Sequence, residues 1–241
     1  MGNAGGRIVC AGLGPGDPDL MSVRADRLVR GAAHVAYFRK SGAQGQARAI
    51  VTGMLRPDAQ EYPMEYPVTT EIHFSEPDYN RQLAAFYDDW AAKLAKLAET
   101  ETVLVLCEGD PFFYGSFMHL YTRLQGRARV EVVPGITGMS GCWTATGQPI
   151  TWGDDVLTVL MATLPEDELT ARARSTDALV VMKIGRNLEK LRRALTAAGR
   201  SADAWLIERG TMKDERVLKL SDAVDAPYFS IAVVHGRGRR P

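Results

Sequence analysis

The sequence predicts an α/β protein made of two α/β domains, each a mainly parallel or mixed sheet flanked by helices. Short apolar, β-rich runs alternate with segments of helical periodicity, which is typical of βαβ units. The length of 241 residues suits two domains of ordinary size. The alternation begins again after Val133-Pro134-Gly135, so we expect domains over residues 1–133 and 134–241.

In the first half, a Gly-rich start leads into the first predicted strand. Strands are predicted at residues 7–11, 35–38, 103–106 and 130–133, and helices at 22–30, 46–55, 75–98 and 116–124. Ser22 and Ser75 stand where N-caps are expected. Residues 57–77 contain four prolines and are interpreted as a long ordered loop, a kind of loop that is usually functional.

The second half repeats the pattern on a smaller scale. Strands are predicted at residues 156–161, 178–184, 204–208 and 229–234, an antiparallel edge piece at 216–219, and helices at 139–146, 166–174 and 187–198. Gly199 ends the last of these helices.

The composition excludes several classes of function. Lys and Arg number 29, as do Asp and Glu, so the zero net charge gives no footprint for nucleic acid or an anionic membrane. Apolar runs are only strand-sized, and no signal peptide opens the chain. The three cysteines, Cys10, Cys107 and Cys142, suit a reducing compartment and lack the spacing of a metal site. We therefore expect a cytoplasmic protein that binds no metal.

Residues 107–116, written C-E-G-D-P-F-F-Y-G-S, follow a predicted buried strand. Ligands bind at the carboxyl ends of strands in open α/β sheets. Gly109 permits a close backbone approach, Asp110 supplies a carboxylate, and three aromatic residues follow. Acidic residues at a strand end are commonly just solvated, but the glycine and the aromatic residues favour a binding site.

The turn at residues 12–18, G-L-G-P-G-D-P, admits several interpretations. Its glycine spacing is wrong for a dinucleotide fingerprint, because Pro15 and Pro18 stand where a helix should begin. It is a structural turn or a ligand-facing loop of another kind. Lys183 and Arg186, after a predicted strand, are ordinary surface cations or contacts for an acidic ligand. His73 and His119 are interpreted as structural, and no set of residues supports nucleophilic catalysis.

Three motifs together resemble the tetrapyrrole methylases, the S-adenosylmethionine (SAM) enzymes that build corrins and siroheme. They are V-C-A-G-L-G-P-G-D-P-D-L-M-S, C-E-G-D-P-F-F-Y-G-S and V-V-P-G-I-T, in the family's order and spacing. Stretches such as P-V-T-T-E-I-H-F-S-E-P-D-Y-N and M-K-I-G-R-N resemble the branch that methylates carbon 20 of precorrin-2 to give precorrin-3A. The family often has Gly-Gly-Asp at Glu108-Gly109-Asp110, and a Ser or Ala at Gly138.

The resemblance implies a class III SAM methyltransferase-like fold and a homodimer, with SAM in the cleft between the domains. The N-terminal domain would carry the tetrapyrrole trough, and the C-terminal domain the SAM cleft and the dimer contacts. The implied cofactor-binding residues are Pro15, Glu108, Gly109, Asp110, Phe113, Thr137, Gly138, Met182, Lys183, Gly210, Thr211, Pro227 and Tyr228.

The resemblance also implies residues that meet the tetrapyrrole substrate, which carries many carboxylates. The candidates are Gly14, Gly16, Asp17, Arg24, Arg186 and Arg209, with Lys183 as a further cation. Asp110 is the first candidate for a carboxylate that stabilises positive charge on the macrocycle or moves a proton, Glu108 the second and Tyr114 the third. Residues 63–80 would help to select the methylated carbon.

Three alternatives remain open at this point. One is the same methylation on the cobalt-bearing analogue, cobalt-factor II. Another is a non-catalytic protein that binds SAM or a tetrapyrrole, although the chain shows no appended effector domain. The third is a nicotinamide oxidoreductase, which would bind NAD(P) and have no affinity for SAM.

Overall fold

A computed structural model describes residues 5–67 and 77–238 of the chain. The chain forms two compact units, Met1–Thr137 and Gly138–Pro241, which are called unit 1 and unit 2 below. The boundary expected from the sequence, between residues 133 and 134, comes slightly earlier in the chain. Each unit contains one five-stranded sheet with helices against it, so the predicted α/β fold class is confirmed.

Unit 1 has a fully parallel sheet with the strand order β3-β2-β4-β1-β5. Helices α1 and α2 pack on one face, and α3 and α4 on the other. The central strands β1 and β4 are almost entirely buried. The elements are β1 (Arg7–Gly12), α1 (Val23–Gly31), β2 (His34–Arg39), α2 (Gln46–Ile50), β3 (Gln60–Glu65), α3 (Pro77–Leu97), β4 (Thr102–Cys107), α4 (Phe117–Leu124) and β5 (Val130–Val133).

The start of α1 shows how local chemistry sets an element boundary. The hydroxyl of Ser22 accepts a hydrogen bond from the backbone N–H of Ala25 at 3.1 Å, which satisfies one of the donors left over in the first turn. The predicted N-cap is therefore confirmed. The second predicted N-cap, Ser75, and the histidine His73 lie outside the described residues.

The prediction of one long loop over residues 57–77 was wrong for its first part. The structure places β3 there, parallel to β2, with Pro63 opposite Tyr37. A proline has no N–H to donate, so it is excluded from central strands, but an edge strand is paired on one side only. The sheet order puts β3 at the edge, which explains how this strand tolerates its proline.

Unit 2 has a mixed sheet with the strand order β6-β7-β10-β8-β9. Strands β6 and β7 are parallel, while β10 runs antiparallel to both β7 and β8. Strand β9 pairs antiparallel with β8 at the edge, as predicted. The elements are α5 (Gly138–Ala145), β6 (Leu157–Met161), α6 (Glu166–Arg174), β7 (Ala178–Met182), α7 (Leu188–Ala197), β8 (Ala204–Glu208), β9 (Arg216–Lys219) and β10 (Ser230–Val234).

The helices of unit 2 divide its core in two. Helices α6 and α7 bury apolar residues on one face of the sheet, and α5 covers the other face. None of the helices in the described ranges is long and apolar enough to cross a membrane.

Candidate functional site

Three loops that carry the sequence motifs leave unit 1 at the same end of its parallel strands. Strand β1 lies between β4 and β5, and all three strands are parallel. The segments that follow Gly12, Cys107 and Val133 therefore emerge side by side at the carboxyl ends of these strands, where α/β sheets bind ligands.

The three loops meet through main-chain atoms of Gly12, Gly109 and Gly135, a group called the glycine junction below. A Cβ atom on Gly12 would lie 2.6 Å from the backbone nitrogen of Gly135. A Cβ atom on Gly135 would lie 2.2 Å from the carbonyl oxygen of Gly109. Both distances are far below van der Waals contact, so only glycine permits this approach.

The loop after β1 is also joined to the loop after β4 by backbone hydrogen bonds. The N–H of Gly109 donates to the carbonyl of Gly14 at 2.7 Å, and the N–H of Leu13 donates to Cys107 at 2.9 Å. Gly14 and Gly109 both have positive φ, of 83° and 64°. Gly12 and Gly135 were not among the site residues predicted from the sequence. In the sequence, each of them could have been found as a glycine at or just after the end of a predicted buried strand.

Asp110 connects the loop after β4 to the loop after β5. Its Oδ1 accepts a hydrogen bond from the backbone N–H of Phe112 at 2.9 Å, and its Oδ2 accepts one from Gly135 at 3.1 Å. The residue is half-buried. Both carboxylate oxygens are thus engaged by main-chain donors.

Glu108 has different surroundings, although it is only two residues away. Its side chain reaches solvent at the surface. The protein atoms around it still remove part of the hydration of the carboxylate, and this desolvation raises the pKa of Glu108. The backbone N–H of Ala47, in α2, opposes the increase by hydrogen bonding to the carboxylate.

Aromatic side chains border the same loop. Phe112 and Tyr114 are each 49% exposed, which is high for apolar side chains held in place by packing. The ring of Phe112 meets that of Tyr121 edge-on, with 4.8 Å between centroids, and Phe113 meets Tyr114 in the same way at 4.9 Å. The loop therefore presents two ordered aromatic rings to solvent.

In unit 2, the predicted cofactor-binding residues gather at one edge of the sheet. Ser230 at the start of β10 pairs with Glu208 at the end of β8, and β7 ends on the other side of β10. A Cβ atom on Gly138 would lie 3.7 Å from Cδ1 of Ile231, which places the start of α5 close to the start of β10. The predicted residues that this brings together are Gly138, Met182, Lys183, Gly210, Thr211, Pro227 and Tyr228.

Gly210 is buried against α5. A Cβ atom at this position would lie 2.7 Å from Sγ of Cys142, so any side chain here would have to displace that thiol. Burial raises the pKa of the Cys142 thiol to about 12, and the backbone of Gly210 partly counters this by hydrogen bonding. This thiol is structural and not a nucleophile.

Four residues other than glycine have a left-handed backbone among the residues that the structure describes. They are Tyr114, Lys183, Arg209 and Thr211, with φ of 55°, 55°, 49° and 69°. Such conformations cost on the order of 1–3 kcal/mol each and concentrate at functional sites. All four were selected from the sequence as site residues, although no sequence pattern reveals their backbone strain.

The predicted substrate-binding cations differ in whether they form an ion pair with an acidic residue of the protein. Arg24 is paired with Glu131 on β5, and Nε of Arg209 lies 2.6 Å from Oδ2 of Asp214. Arg186 is exposed and makes no ion pair with the described residues. It borders a cavity of about 350 Å³ in unit 2, between the start of α7 and residues 224–226.

The remaining predicted residues lie on the loop after β1 and at the start of the link to unit 2. Asp17 caps the next turn, accepting from the N–H of Asp19 at 2.9 Å. Pro15 and Gly14 are buried, while Gly16 and Thr137 are half-buried. Within residues 5–67 and 77–238, no three His, Cys, Asp or Glu side chains are grouped so that they could hold a metal ion.

Comparison with known proteins places these loops in a family context. The family described as tetrapyrrole (corrin/porphyrin) methylases matches residues 7–223. The precorrin-2 C(20)-methyltransferase of Sinorhizobium sp. is 51% identical over 239 residues, covering 98% of each chain. The cobalt-precorrin-2 C(20)-methyltransferase of Salmonella typhimurium is 25% identical, covering 95% of this chain and 96% of that one.

Solved structures show the same fold. Uroporphyrin-III C-methyltransferase from Thermus thermophilus, crystallised with S-adenosylhomocysteine, matches 95% of this chain and 97% of its own with a TM-score of 0.67. The sequence identity of that pair is 21%, so the match concerns the fold.

Proposed function

Because this chain belongs to the tetrapyrrole (corrin/porphyrin) methylase family, we propose that it transfers a methyl group from SAM to carbon 20 of precorrin-2, giving precorrin-3A in cobalamin biosynthesis. The observation that carries the proposal is the 51% identity to a precorrin-2 C(20)-methyltransferase, which extends over 98% of both chains. A relationship of this extent includes all three strand-end motifs and not just the fold.

The residues at the strand ends fit SAM. The glycine junction and Gly210 leave main-chain groups uncovered by side chains, which suits a cofactor bound chiefly by backbone amides and carbonyls. Glu108 offers a solvent-accessible carboxylate to a cationic ligand. The left-handed residues Lys183 and Thr211 belong to the pre-organised backbone expected of a binding site.

The residues that would hold the cofactor are those selected from the sequence. In unit 1 they come from the loops after β1, β4 and β5, and in unit 2 from the ends of β7 and β8 and the start of β10. They are Pro15, Glu108, Gly109, Asp110, Phe113, Thr137, Gly138, Met182, Lys183, Gly210, Thr211, Pro227 and Tyr228.

SAM supplies a methyl group on a sulfonium centre, which makes it electrophilic. The chain's own residues then have to orient the two reactants in line and exclude water. Glu108 is the carboxylate that we place opposite the positive charge that develops on the macrocycle, because its side chain is accessible at the end of β4 and desolvation of the carboxylate raises its pKa. The exposed ring of Tyr114 would border the macrocycle beside it.

The substrate's carboxylates require cations. Arg186 and Lys183 are exposed near the end of β7 and would meet this need. Arg24 and Arg209 would exchange Glu131 and Asp214 for substrate carboxylates, or share their guanidinium donors with both.

Purified protein incubated with SAM and precorrin-2 is expected to give a product heavier by one methylation. With a ¹³C-labelled SAM methyl group, the new NMR signal should be that of a methyl on carbon 20. Absence of the mass gain would overturn the proposal. A parallel incubation with cobalt-factor II tests the rival substrate, and the higher identity to the relative named for precorrin-2 favours the metal-free form.

We further propose that the enzyme is a cytoplasmic homodimer. The free, buried state of Cys10, Cys107 and Cys142 suits a reducing compartment. The edge strand β9 carries the partly exposed Val217 and offers a surface for a second copy. Light scattering after size-exclusion chromatography should give twice the mass of the 26.4 kDa chain, and a monomer mass would refute the dimer.

A further inference from the structure

We infer that Asp110 is a positioning residue, whose carboxylate locks the glycine junction and exchanges no proton with the substrate. The inference rests on the proposed function, because it concerns how the cofactor-binding loops of that reaction are held. It assigns the two acidic residues of the motif to different tasks: Glu108 faces the ligands, and Asp110 faces the main chain.

The hydrogen bonds of Asp110 carry the inference. One oxygen accepts from Phe112 within its own loop at 2.9 Å, and the other accepts from Gly135 in the loop after β5 at 3.1 Å. Main-chain donors from two different loops therefore occupy both oxygens of this carboxylate. A side chain that is tied to the main chain at both oxygens serves to hold the two loops together.

The glycine junction explains why such a lock is needed. Gly12, Gly109 and Gly135 touch through main-chain atoms, so they have no side chains with which to hold their loops together. Parallel strands β4 and β5 are not neighbours, since β1 lies between them. The bond from Gly135 to Asp110 joins the loops across β1 and fixes the distance between them.

The positioning role predicts a defect in binding and not in proton transfer. If Asp110 sets the spacing of the loops, its loss displaces the backbone groups around the cofactor and weakens affinity. The ionisations that govern turnover belong to other groups, so the pH dependence of kcat should keep its shape.

The test uses Asp110→Asn in the full-length protein. Asparagine has one acceptor oxygen, so one of the two N–H donors loses its partner. A hydrogen bond to a charged group contributes enough that the Kd for S-adenosylhomocysteine should rise about tenfold or more. The pH profile of kcat should keep the apparent pKa values of the wild type.

A second variant, Gly135→Ala, disturbs the same contact from the other loop, because its Cβ would meet the carbonyl of Gly109. We expect the double variant to be little worse than either single variant in S-adenosylhomocysteine affinity, because both changes break one junction. The matched control is Asp155→Asn. In unit 2, Asp155 Oδ2 accepts from the N–H of Trp152 at 2.8 Å and of Gly238 at 3.3 Å, away from the predicted site.

Asp155→Asn is expected to leave S-adenosylhomocysteine affinity unchanged, whether or not Tm falls, because this aspartate is not among the predicted site residues. The inference would be overturned if Asp110→Asn bound this ligand normally while the pH profile of kcat lost a limb, or if Asp110→Asn and Gly135→Ala acted additively. The Tm of the double variant can be compared with those of the two single variants in the same way. This comparison needs neither ligand nor turnover. Failure of the wild type to methylate precorrin-2 would therefore refute the proposed function separately.

Discussion

At the scale of single residues, position in the sequence says little about environment. Glu108 and Asp110 are both acidic and both follow β4, yet one reaches solvent and the other is bound to two backbone N–H groups. Their pattern in the sequence marks the loop as a site but gives no means to divide the roles. The division depends on Gly135, which is distant in sequence and is brought near only by the sheet order.

Glu108→Gln should stabilise the protein at neutral pH. Desolvation raises the pKa of Glu108 above its ordinary value of 4.5, so its ionised form is disfavoured on folding. The contribution of Glu108 to the free energy of unfolding is fully present below this ordinary pKa. It is lost as the pH rises through the raised pKa. Urea unfolding should show the variant more stable than the wild type at pH 7–8, with the difference vanishing near pH 4.

Glu166→Gln is the control with the opposite sign. A hydrogen bond from Arg193 lowers the pKa of Glu166, so this carboxylate favours folding above its ordinary value. Its replacement should lower stability only slightly at pH 7, since the pair is exposed, and this effect should fade as the pH falls through the lowered pKa, below 4.5. A gain from Glu108→Gln that was equal at every pH would contradict the assigned desolvation.

At the scale of elements, α7 supports the segment that leads to Pro227 and Tyr228, two of the predicted cofactor-binding residues. The guanidinium of Arg192 donates to the carbonyls of Leu220 and Ser221, at 2.9 Å and 3.2 Å from Nη2, and also to Ala223. Residues 224–228 follow directly and end at Pro227 and Tyr228. The side chain of Arg192 thus holds a turn that is not part of any strand.

Arg192→Gln should weaken S-adenosylhomocysteine binding by about three- to tenfold, since a displaced turn loses contacts worth roughly 1 kcal/mol. Arg200→Gln is the matched control, because Arg200 also binds three carbonyls, those of Ala173, Thr176 and Asp177. Both variants should lower Tm. Calorimetric titration should show a loss of affinity in the first variant alone, and equal losses would contradict the role of Arg192.

The elements themselves were largely predictable, because their signals are local. The hydroxyl of Ser22, the apolar stripe of α3 and the β-rich runs of the central strands lie within a few residues of the structure that they determine. Strand β3 was missed because Pro63 is tolerated only by the place of this strand at the edge of a sheet. Such a place is a property of the assembled sheet, as are the contacts of Gly12 with Gly135.

At the scale of the whole molecule, each unit has its own sheet and its own apolar clusters. Cys10 and Cys107 lie in the core of unit 1, and Cys142 lies in that of unit 2. All three thiols are free and buried. The reactivity of these thiols can therefore report the unfolding of each unit.

Iodoacetamide at pH 8 should label none of the three cysteines in the folded protein. Burial excludes the reagent and raises the pKa of the Cys10 and Cys142 thiols, so little thiolate is present. Pulsed labelling across a urea gradient, read by peptide mass, should give one transition for Cys10 and Cys107 together. A Cys142→Ser variant identifies the signal of unit 2. Rapid labelling of any of these thiols without urea would contradict the buried cores.

The glycine junction has a consequence for genetics. When a core side chain is enlarged, a neighbouring side chain can often be trimmed to restore the fit, and such second-site suppressors are readily selected. At Gly12 and Gly135 the atoms that would collide belong to the main chain, which no codon change can trim. A selection for revertants of Gly135→Ala should therefore return true reversion to glycine, and hardly any compensating substitutions around it.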